Sequence, residues 1–193
     1  MIALYLTHPQ VVIDPTRPVP RWRLNDVGRA RLTALAGRPW LRRISRVVTS
    51  TETKATETAA LLCPDLPTEP QADLAENDST ATGFLRDPAF EAAPDAFFAR
   101  PDDSFQGWET ARAAQRRILN AVWRCLTGHT PDRPVLFVGH GAVGTLLRQA
   151  LGGEPISRRG DQPVGGGNIF AFRLADTAGP VGWTAMEDWQ WPR

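Results

Sequence analysis

Apolar residues occur along the chain in two arrangements, short continuous runs and repeats with helical spacing. Residues 2–7 and 135–139 are continuous apolar runs, and runs of this length predict strands buried inside a sheet. The same criterion predicts three further strands, over residues 44–48, 169–174 and 183–186.

Helices are predicted where apolar residues recur at intervals of three and four. The first covers residues 26–36, with Asn25 as its N-cap. The second starts from a cap at Thr49 or Ser50 and ends at Pro64. The remaining predicted helices cover residues 106–126 and 142–151.

The alternation of strands and helices predicts a three-layer α/β/α sandwich with a mostly parallel central sheet. At 193 residues the chain has the length of one domain with a substantial core. Residues 64–103 interrupt the alternation with prolines, acidic residues and aromatic residues. We therefore predict a single domain, residues 1–193, with a helical and loop insertion at about 76–104.

Composition argues against two classes of partner. The chain carries 22 basic and 21 acidic residues, a net charge of +1, so it lacks the basic excess typical of proteins that bind nucleic acids or anionic membranes. No apolar stretch approaches the roughly 20 residues that span a bilayer. We expect no nucleic-acid or membrane partner, and a cytoplasmic location.

Two of the three histidines, His8 and His140, directly follow predicted strands. Because ligands bind at the carboxyl ends of strands in open α/β sheets, the pair predicts a shared site. A zinc centre would need further ligands, and no cysteine pair or His-Glu motif supplies them, so no metal is expected. The sequence contains no Gly-x-Ser-x-Gly motif, so a serine hydrolase is not indicated. Gly165-Gly166-Gly167 is interpreted as a flexible turn rather than a nucleotide-binding loop, so no cofactor is expected.

Six segments, in the same order as in a known family, carry a resemblance. They are Tyr5-Leu6-Thr7-His8-Pro9, Leu24-Asn25-Asp26-Val27-Gly28-Arg29-Ala30, the stretch from Val48 to Ala59, Leu74-Ala75-Glu76, Val138-Gly139-His140-Gly141 and Gly167-Asn168-Ile169. The chain resembles the histidine phosphatases, which share a phosphoglycerate-mutase-like fold. Each segment alone is a weak signal, but the ordered set extends from residue 2 to about 174.

The resemblance implies a phosphomonoester hydrolase that works through a phosphohistidine. His8 would attack phosphorus, Glu76 would protonate the leaving oxygen and later activate water, and His140 would donate to the phosphoryl oxygens. The implied ligand is a small phosphorylated molecule or inorganic phosphate.

The phosphate-binding residues depart from the family pattern. Thr7 and Lys54 occupy its two arginine positions, and Pro9 replaces its glycine. Lysine keeps a positive charge as a point charge rather than a planar fork, and threonine carries none. We predict that Thr7 and Lys54 line the pocket, and that Arg17 or Arg21 on the following loop supplies the missing charge.

Two functions stay open at this point. One is a phosphatase with an altered pocket, which the retained histidines and candidate acid favour. The other is a catalytically impaired member that binds a ligand or a protein, which the loss of both arginines favours. A mutase is less favoured, because the depleted pocket is poorly suited to reorienting a substrate. The apolar tail, residues 189–193, is predicted to dock on the domain or on a second copy of the chain, which gives a possible homodimer.

Overall fold

A computed structural model describes residues 2–85, 88–130, 132–173, 180 and 182–191, without the side chains of residues 89–91. The strands of this part of the chain are β1 (Ala3–Thr7), β2 (Arg46–Ser50), β3 (Thr68–Gln71), β4 (Val135–Gly139), β5 (Asn168–Phe172) and β6 (Thr184–Ala185). Its α-helices are α1 (Asp26–Thr33), α2 (Thr53–Leu62), α3 (Ala89–Ala99), α4 (Ala111–Leu126) and α5 (Gly141–Gly152).

The strands form one sheet in the order β3-β2-β4-β1-β5-β6. The first four in this order are mutually parallel, and β5 and β6 are antiparallel to their neighbours. The prediction of a mostly parallel sheet is therefore confirmed. The pairing of β1 with β4 aligns Thr7 with Gly139, the residues immediately before the two histidines.

Side chains alternate between the two faces of the sheet, and each face is covered by helices. On β1, Tyr5 belongs to the core shared with α4 and α5. Leu4 and Leu6 point to the opposite core, which contains residues of α1 and α2. The predicted three-layer sandwich is thus confirmed.

The start of α2 differs from the prediction. Strand β2 continues to Ser50, because Thr49 still pairs with Val138 of β4. The N-cap position therefore falls on Glu52, whose side chain makes no capping hydrogen bond, instead of on Thr49 or Ser50. The predicted N-cap of α1 is confirmed, since the Asn25 side chain accepts a hydrogen bond from Gly28 N at 2.8 Å.

Helix α4 begins five residues later than predicted. Gln106 and Gly107 both have positive φ angles, 48° and 89°, which no α-helix accommodates. Thr110 then caps the helix by accepting from Ala113 N at 3.1 Å.

Strand β3 was not predicted, since it is a partly exposed edge strand that contains Pro70. Of the predicted strand 169–174, residue 174 lies outside the described residues.

The tail docks on the domain through its tryptophans. Trp189 is buried and packs edge-on against Trp40, with ring centroids 5.3 Å apart. The guanidinium of Arg43 lies 4.3 Å from the ring centroid of Trp191. The homodimer stays a prediction. Within the described residues, every helix is too short or too polar to cross a membrane.

We predict that Gly144→Ala lowers the free energy of unfolding by about 1–3 kcal/mol, because a Cβ at this position would lie 2.5 Å from the buried Tyr5 ring. Gly152→Ala is the matched control in the same helix, where the nearest atom is a Glu154 carboxylate oxygen at 3.3 Å. Urea denaturation measures both. Equal stability of the two variants would show that Tyr5 does not require the glycine.

Candidate active site

The two histidines lie side by side at the carboxyl edge of the parallel strands. His8 follows β1 and His140 follows the neighbouring strand β4. Their ring centroids are 5.2 Å apart, and the rings meet edge to face. The structure therefore brings together the pair that the sequence singled out.

The His8 ring is held in one tautomer. Its Nδ1 lies 2.8 Å from the carbonyl oxygen of Pro9, and because a carbonyl only accepts, Nδ1 carries the proton. Burial, followed by the proximity of His140, lowers the pKa of His8 to about 3. The ring is thus neutral at physiological pH, and Nε2 keeps a free lone pair. Pro9, which departs from the family pattern, still supplies the carbonyl that fixes this state.

The His8 backbone is fixed from two sides. Its N–H donates to Gly139 O at 3.0 Å, and its carbonyl accepts from Gly167 N at 3.1 Å. Gly166 has a φ of 62°, and a Cβ there would lie 2.2 Å from the His8 carbonyl oxygen. The three-glycine turn, interpreted from the sequence as merely flexible, is packed against the backbone of His8.

His140 is completely buried at the N-cap position of α5. The Tyr5 hydroxyl accepts from His140 N at 3.0 Å and lies 3.1 Å from its carbonyl oxygen. The imidazole Nε2 lies 2.8 Å from Ser50 Oγ, whereas Nδ1 has no partner among the described residues. Burial first, then the nearby cations Lys54 and Arg117, lowers the pKa of His140 well below its ordinary value.

Glu76 reaches the same site from the loop after β3. Its carboxylate accepts from the first-turn amides of α5, Val143 N at 3.0 Å and Ala142 N at 3.2 Å. Burial, followed by the charge of Glu52, raises the pKa of Glu76. A carboxyl group with a raised pKa beside a nucleophile is suited to general acid work.

Lys54 is buried, and its positive charge is balanced by a neighbouring carboxylate. Its Nζ donates to Glu52 Oε2 at 2.5 Å and to Val19 O at 3.0 Å. The other Glu52 oxygen accepts from Glu76 N at 2.9 Å and lies 3.4 Å from His140 Nε2. Glu52 is thus a member of the site that the sequence did not reveal, because its position in the motif carries no distinguishing pattern.

Thr7 is buried, and its side chain forms its hydrogen bonds with residues 162 and 168, not with the arginines of the loop after β1. Its hydroxyl donates to Gln162 Oε1 at 2.7 Å and accepts from Asn168 N at 3.0 Å. A Cβ on Gly141, the first residue of α5, would lie 2.2 Å from Gln162 Nε2. Gln162, in a loop without pattern, is the second member of the site missed from the sequence.

Arg17 and Arg21 lie at the margin of the candidate active site. Arg17 pairs with Asp14 at 3.2 Å and lines a large cavity that reaches Glu52 and Glu76. Arg21 lines an outer depression. Within the described residues neither guanidinium hydrogen-bonds to a histidine of the site, and their role in phosphate binding stays a prediction.

The groups assembled here are suited to a reaction in which a nucleophile attacks and the leaving group has to be protonated. A neutral imidazole with a free lone pair has the form of a nucleophile, and a carboxyl group with a raised pKa has the form of a general acid. The described residues contain no group of three or more His, Cys, Asp or Glu side chains placed to hold a metal ion.

The sequence profile of the histidine phosphatase superfamily (branch 1) matches residues 18–178. The match covers most of the chain, including Lys54, Glu76 and His140, and it begins after His8. The chain belongs to the histidine phosphatase superfamily. None of the curated proteins compared with it matches its sequence significantly.

Solved structures share the fold at low sequence identity. A mycobacterial glucosyl-3-phosphoglycerate phosphatase in complex with inorganic phosphate is similar with a TM-score of 0.70 and 23% identity, over 89% of each chain. YhfR of Bacillus stearothermophilus is similar with a TM-score of 0.73 and 19% identity, over 94% of each chain. TTHB049 of Thermus thermophilus is similar with a TM-score of 0.65 and 22% identity, over 96% of this chain and 99% of that one.

We predict that His8 makes stability depend on pH below neutrality. Since its folded pKa of about 3 lies below its ordinary value of 6.5, the unfolded chain binds the proton first as pH falls. Its contribution is fully present above pH 6.5 and is lost towards pH 3, at up to about 1.4 kcal/mol per pH unit.

The measurement compares urea denaturation at pH 7 and pH 5 for the wild type, His8→Gln and the control His129→Gln, which changes a half-buried histidine outside the site. Glu76 acts in the opposite direction, because its raised folded pKa favours the native state at lower pH. That effect is common to all three proteins and cancels in the comparison. His8→Gln flattens the dependence and His129→Gln does not. Identical slopes in all three proteins would contradict the neutral state of His8.

Proposed function

We propose that the chain is a phosphomonoester hydrolase that works through a phosphohistidine on His8, with a small phosphorylated molecule as substrate. One observation carries the proposal. The hydrogen bond from His8 Nδ1 to Pro9 O leaves Nε2 unprotonated in a ring packed against His140. The membership of the superfamily supports the same chemistry.

In the first step, His8 Nε2 attacks phosphorus, and the bond from phosphorus to the ester oxygen breaks. Glu76, whose raised pKa favours the protonated form, gives its proton to that leaving oxygen. Free alcohol leaves, and the phosphoryl group stays on Nε2. Glu76 Oε1 accepts from Val143 N and Asn77 N, whereas Oε2 accepts from Ala142 N alone among the described residues and has a second lone pair for the acidic hydrogen.

In the second step, water attacks phosphorus and the bond to Nε2 breaks. The Glu76 carboxylate takes the proton from the water, and inorganic phosphate leaves. His8 returns to the neutral tautomer because Nδ1 still donates to Pro9 O. His140, with Nδ1 unpartnered beside the nucleophile, and the amide of Gln162 near Gly141 are the proposed donors to the phosphoryl oxygens.

The site differs from a phosphate pocket rich in cationic side chains mainly in its charge. Thr7 contributes no charge, and the buried cation Lys54 is paired with Glu52. Loss of one preorganised donor costs about 10²–10³ in rate, so a slow enzyme or a narrow substrate range follows. The mycobacterial phosphatase in complex with inorganic phosphate shares this fold, which supports a phosphate-containing ligand.

We predict that the purified chain hydrolyses members of a phosphomonoester panel, and that His8→Gln lowers kcat by at least about 10³-fold because it removes the attacking imidazole. Phosphate release is the measurement, and His129→Gln, at a half-buried histidine outside the site, is the control. Undiminished turnover by His8→Gln contradicts the proposal. A folded wild-type chain that hydrolyses nothing supports the alternative of a catalytically impaired binding protein.

We predict that Glu52→Gln strengthens the binding of inorganic phosphate or vanadate by at least about tenfold. The substitution removes a negative charge from Lys54 and His140, and a like charge at a few ångströms opposes an anion strongly. Glutamine keeps an oxygen for the hydrogen bond from Glu76 N.

The affinity is measured by titration calorimetry, with Glu69→Gln as the control. Glu69 is an ion-paired glutamate outside the site, bound to Arg46 at 2.7 Å. Unchanged or weaker binding by folded Glu52→Gln would mean that Glu52 does not oppose the anion.

A further inference from the structure

A large cavity adjoins the candidate site on the side of the proposed acid. Its volume is about 1130 Å³, and its wall includes Glu52 and Glu76. Since Glu76 is the group proposed to protonate the leaving oxygen, the part of a substrate beyond that oxygen extends into this cavity. The lining residues therefore select the leaving group.

One wall of the cavity is apolar and aromatic. Phe84 and Trp108 contribute rings, and Val19 and Pro20 contribute aliphatic surface. Phe84 is held in place by Trp22, with ring centroids 5.2 Å apart, and the Trp108 indole donates to Thr82 Oγ1 at 2.8 Å. Such a wall suits a leaving group with an aromatic or aliphatic body.

The cationic side chains of the lining are already engaged. Arg117 donates with all five of its N–H groups, to both carboxylate oxygens of Glu109 and to the carbonyl oxygens of residues 73, 75 and 76. Arg17 is largely exposed and pairs with Asp14. The cavity thus offers no uncommitted cation, within the described residues, to a carboxylate or second phosphate.

Carboxylates remain in excess. Glu109 is matched by Arg117, and Glu52 by Lys54. Asp78 also lines the cavity and forms no ion pair within the described part of the chain. Glu76 is not counted, because as the proposed acid it acts in its uncharged, protonated form. Among the described residues the Asp78 carboxylate accepts only from Thr80, from its N–H at 2.9 Å and its hydroxyl at 2.6 Å. The field in the cavity therefore opposes anions and favours cations.

We propose that the cavity receives an uncharged or amine-bearing leaving group with an apolar body, and that it rejects leaving groups that carry a carboxylate. This inference rests on the proposed phosphatase function. The substrates are then phosphomonoesters of neutral or amino alcohols and phenols, with Asp78 as a determinant of specificity.

The test uses two substrates with opposite charges on similar side groups, 4-(aminomethyl)phenyl phosphate and 4-(carboxymethyl)phenyl phosphate, with 4-methylphenyl phosphate as the neutral reference. The methylene group keeps the leaving oxygens comparable. For the full chain, kcat/KM is at least tenfold higher for the amine and for the neutral ester than for the carboxylate. Equal values, or a preference for the carboxylate, overturn the proposal.

Asp78→Asn provides the test at the residue level. It removes the charge and keeps an oxygen for Thr80, and it lowers the ratio of amine to carboxylate turnover at least threefold. Asp65→Asn, an exposed acid outside the cavity wall, leaves the ratio unchanged. An unchanged ratio in folded Asp78→Asn removes Asp78 as a determinant.

Benzylphosphonates with the same amine and carboxylate groups separate this inference from the proposed function, because they bind without being hydrolysed. If no ester is hydrolysed but the amine phosphonate binds at least tenfold more tightly than the carboxylate phosphonate, the phosphatase proposal fails and the charge preference stands. Equal binding, or no binding of either compound, overturns the charge preference, whatever the outcome for hydrolysis.

Discussion

The pairing of β1 with its parallel neighbour β4 is the constraint on which the candidate site depends. It aligns Thr7 with Gly139 and continues one step further, through the hydrogen bond from His8 N to Gly139 O. Because both strands end at the same edge, the residues that follow them meet, and the two imidazoles lie in contact. Tyr5, in the centre of β1, then holds the backbone of His140 through its hydroxyl. The core and the site are thus built from the same two strands.

Charge distinguishes this site from a strongly cationic phosphate pocket. Both histidines are kept neutral by burial, and Lys54 is paired with Glu52 inside the protein. Such a pair is costly to bury and is kept only where its hydrogen bonds are well satisfied. Here the Glu52 carboxylate also accepts from Glu76 N, so it links Lys54 and His140 to the proposed acid. The electrostatics of nucleophile, acid and cation therefore depend on one another.

Much of this arrangement follows from sequence pattern. The run 135–139 predicts β4 with its observed limits, and the two histidines after apolar runs predict a shared site, because such runs are buried and their ends converge. The pattern fails where local sequence carries no signal. Strand β3 has no apolar alternation and forms only as an edge of the sheet. Glu52 and Gln162 enter the site through tertiary contacts, so only the folded chain reveals them.

The most direct test of the account is the position of a trapped phosphoryl group. The chain is incubated with a small phosphoryl donor, quenched in alkali, and examined by peptide mass spectrometry and phosphorus NMR. The account predicts one phosphoryl group on Nε2 of His8, since Nδ1 is committed to Pro9 O. A phosphoryl group on His140, or on Nδ1 of His8, would contradict it.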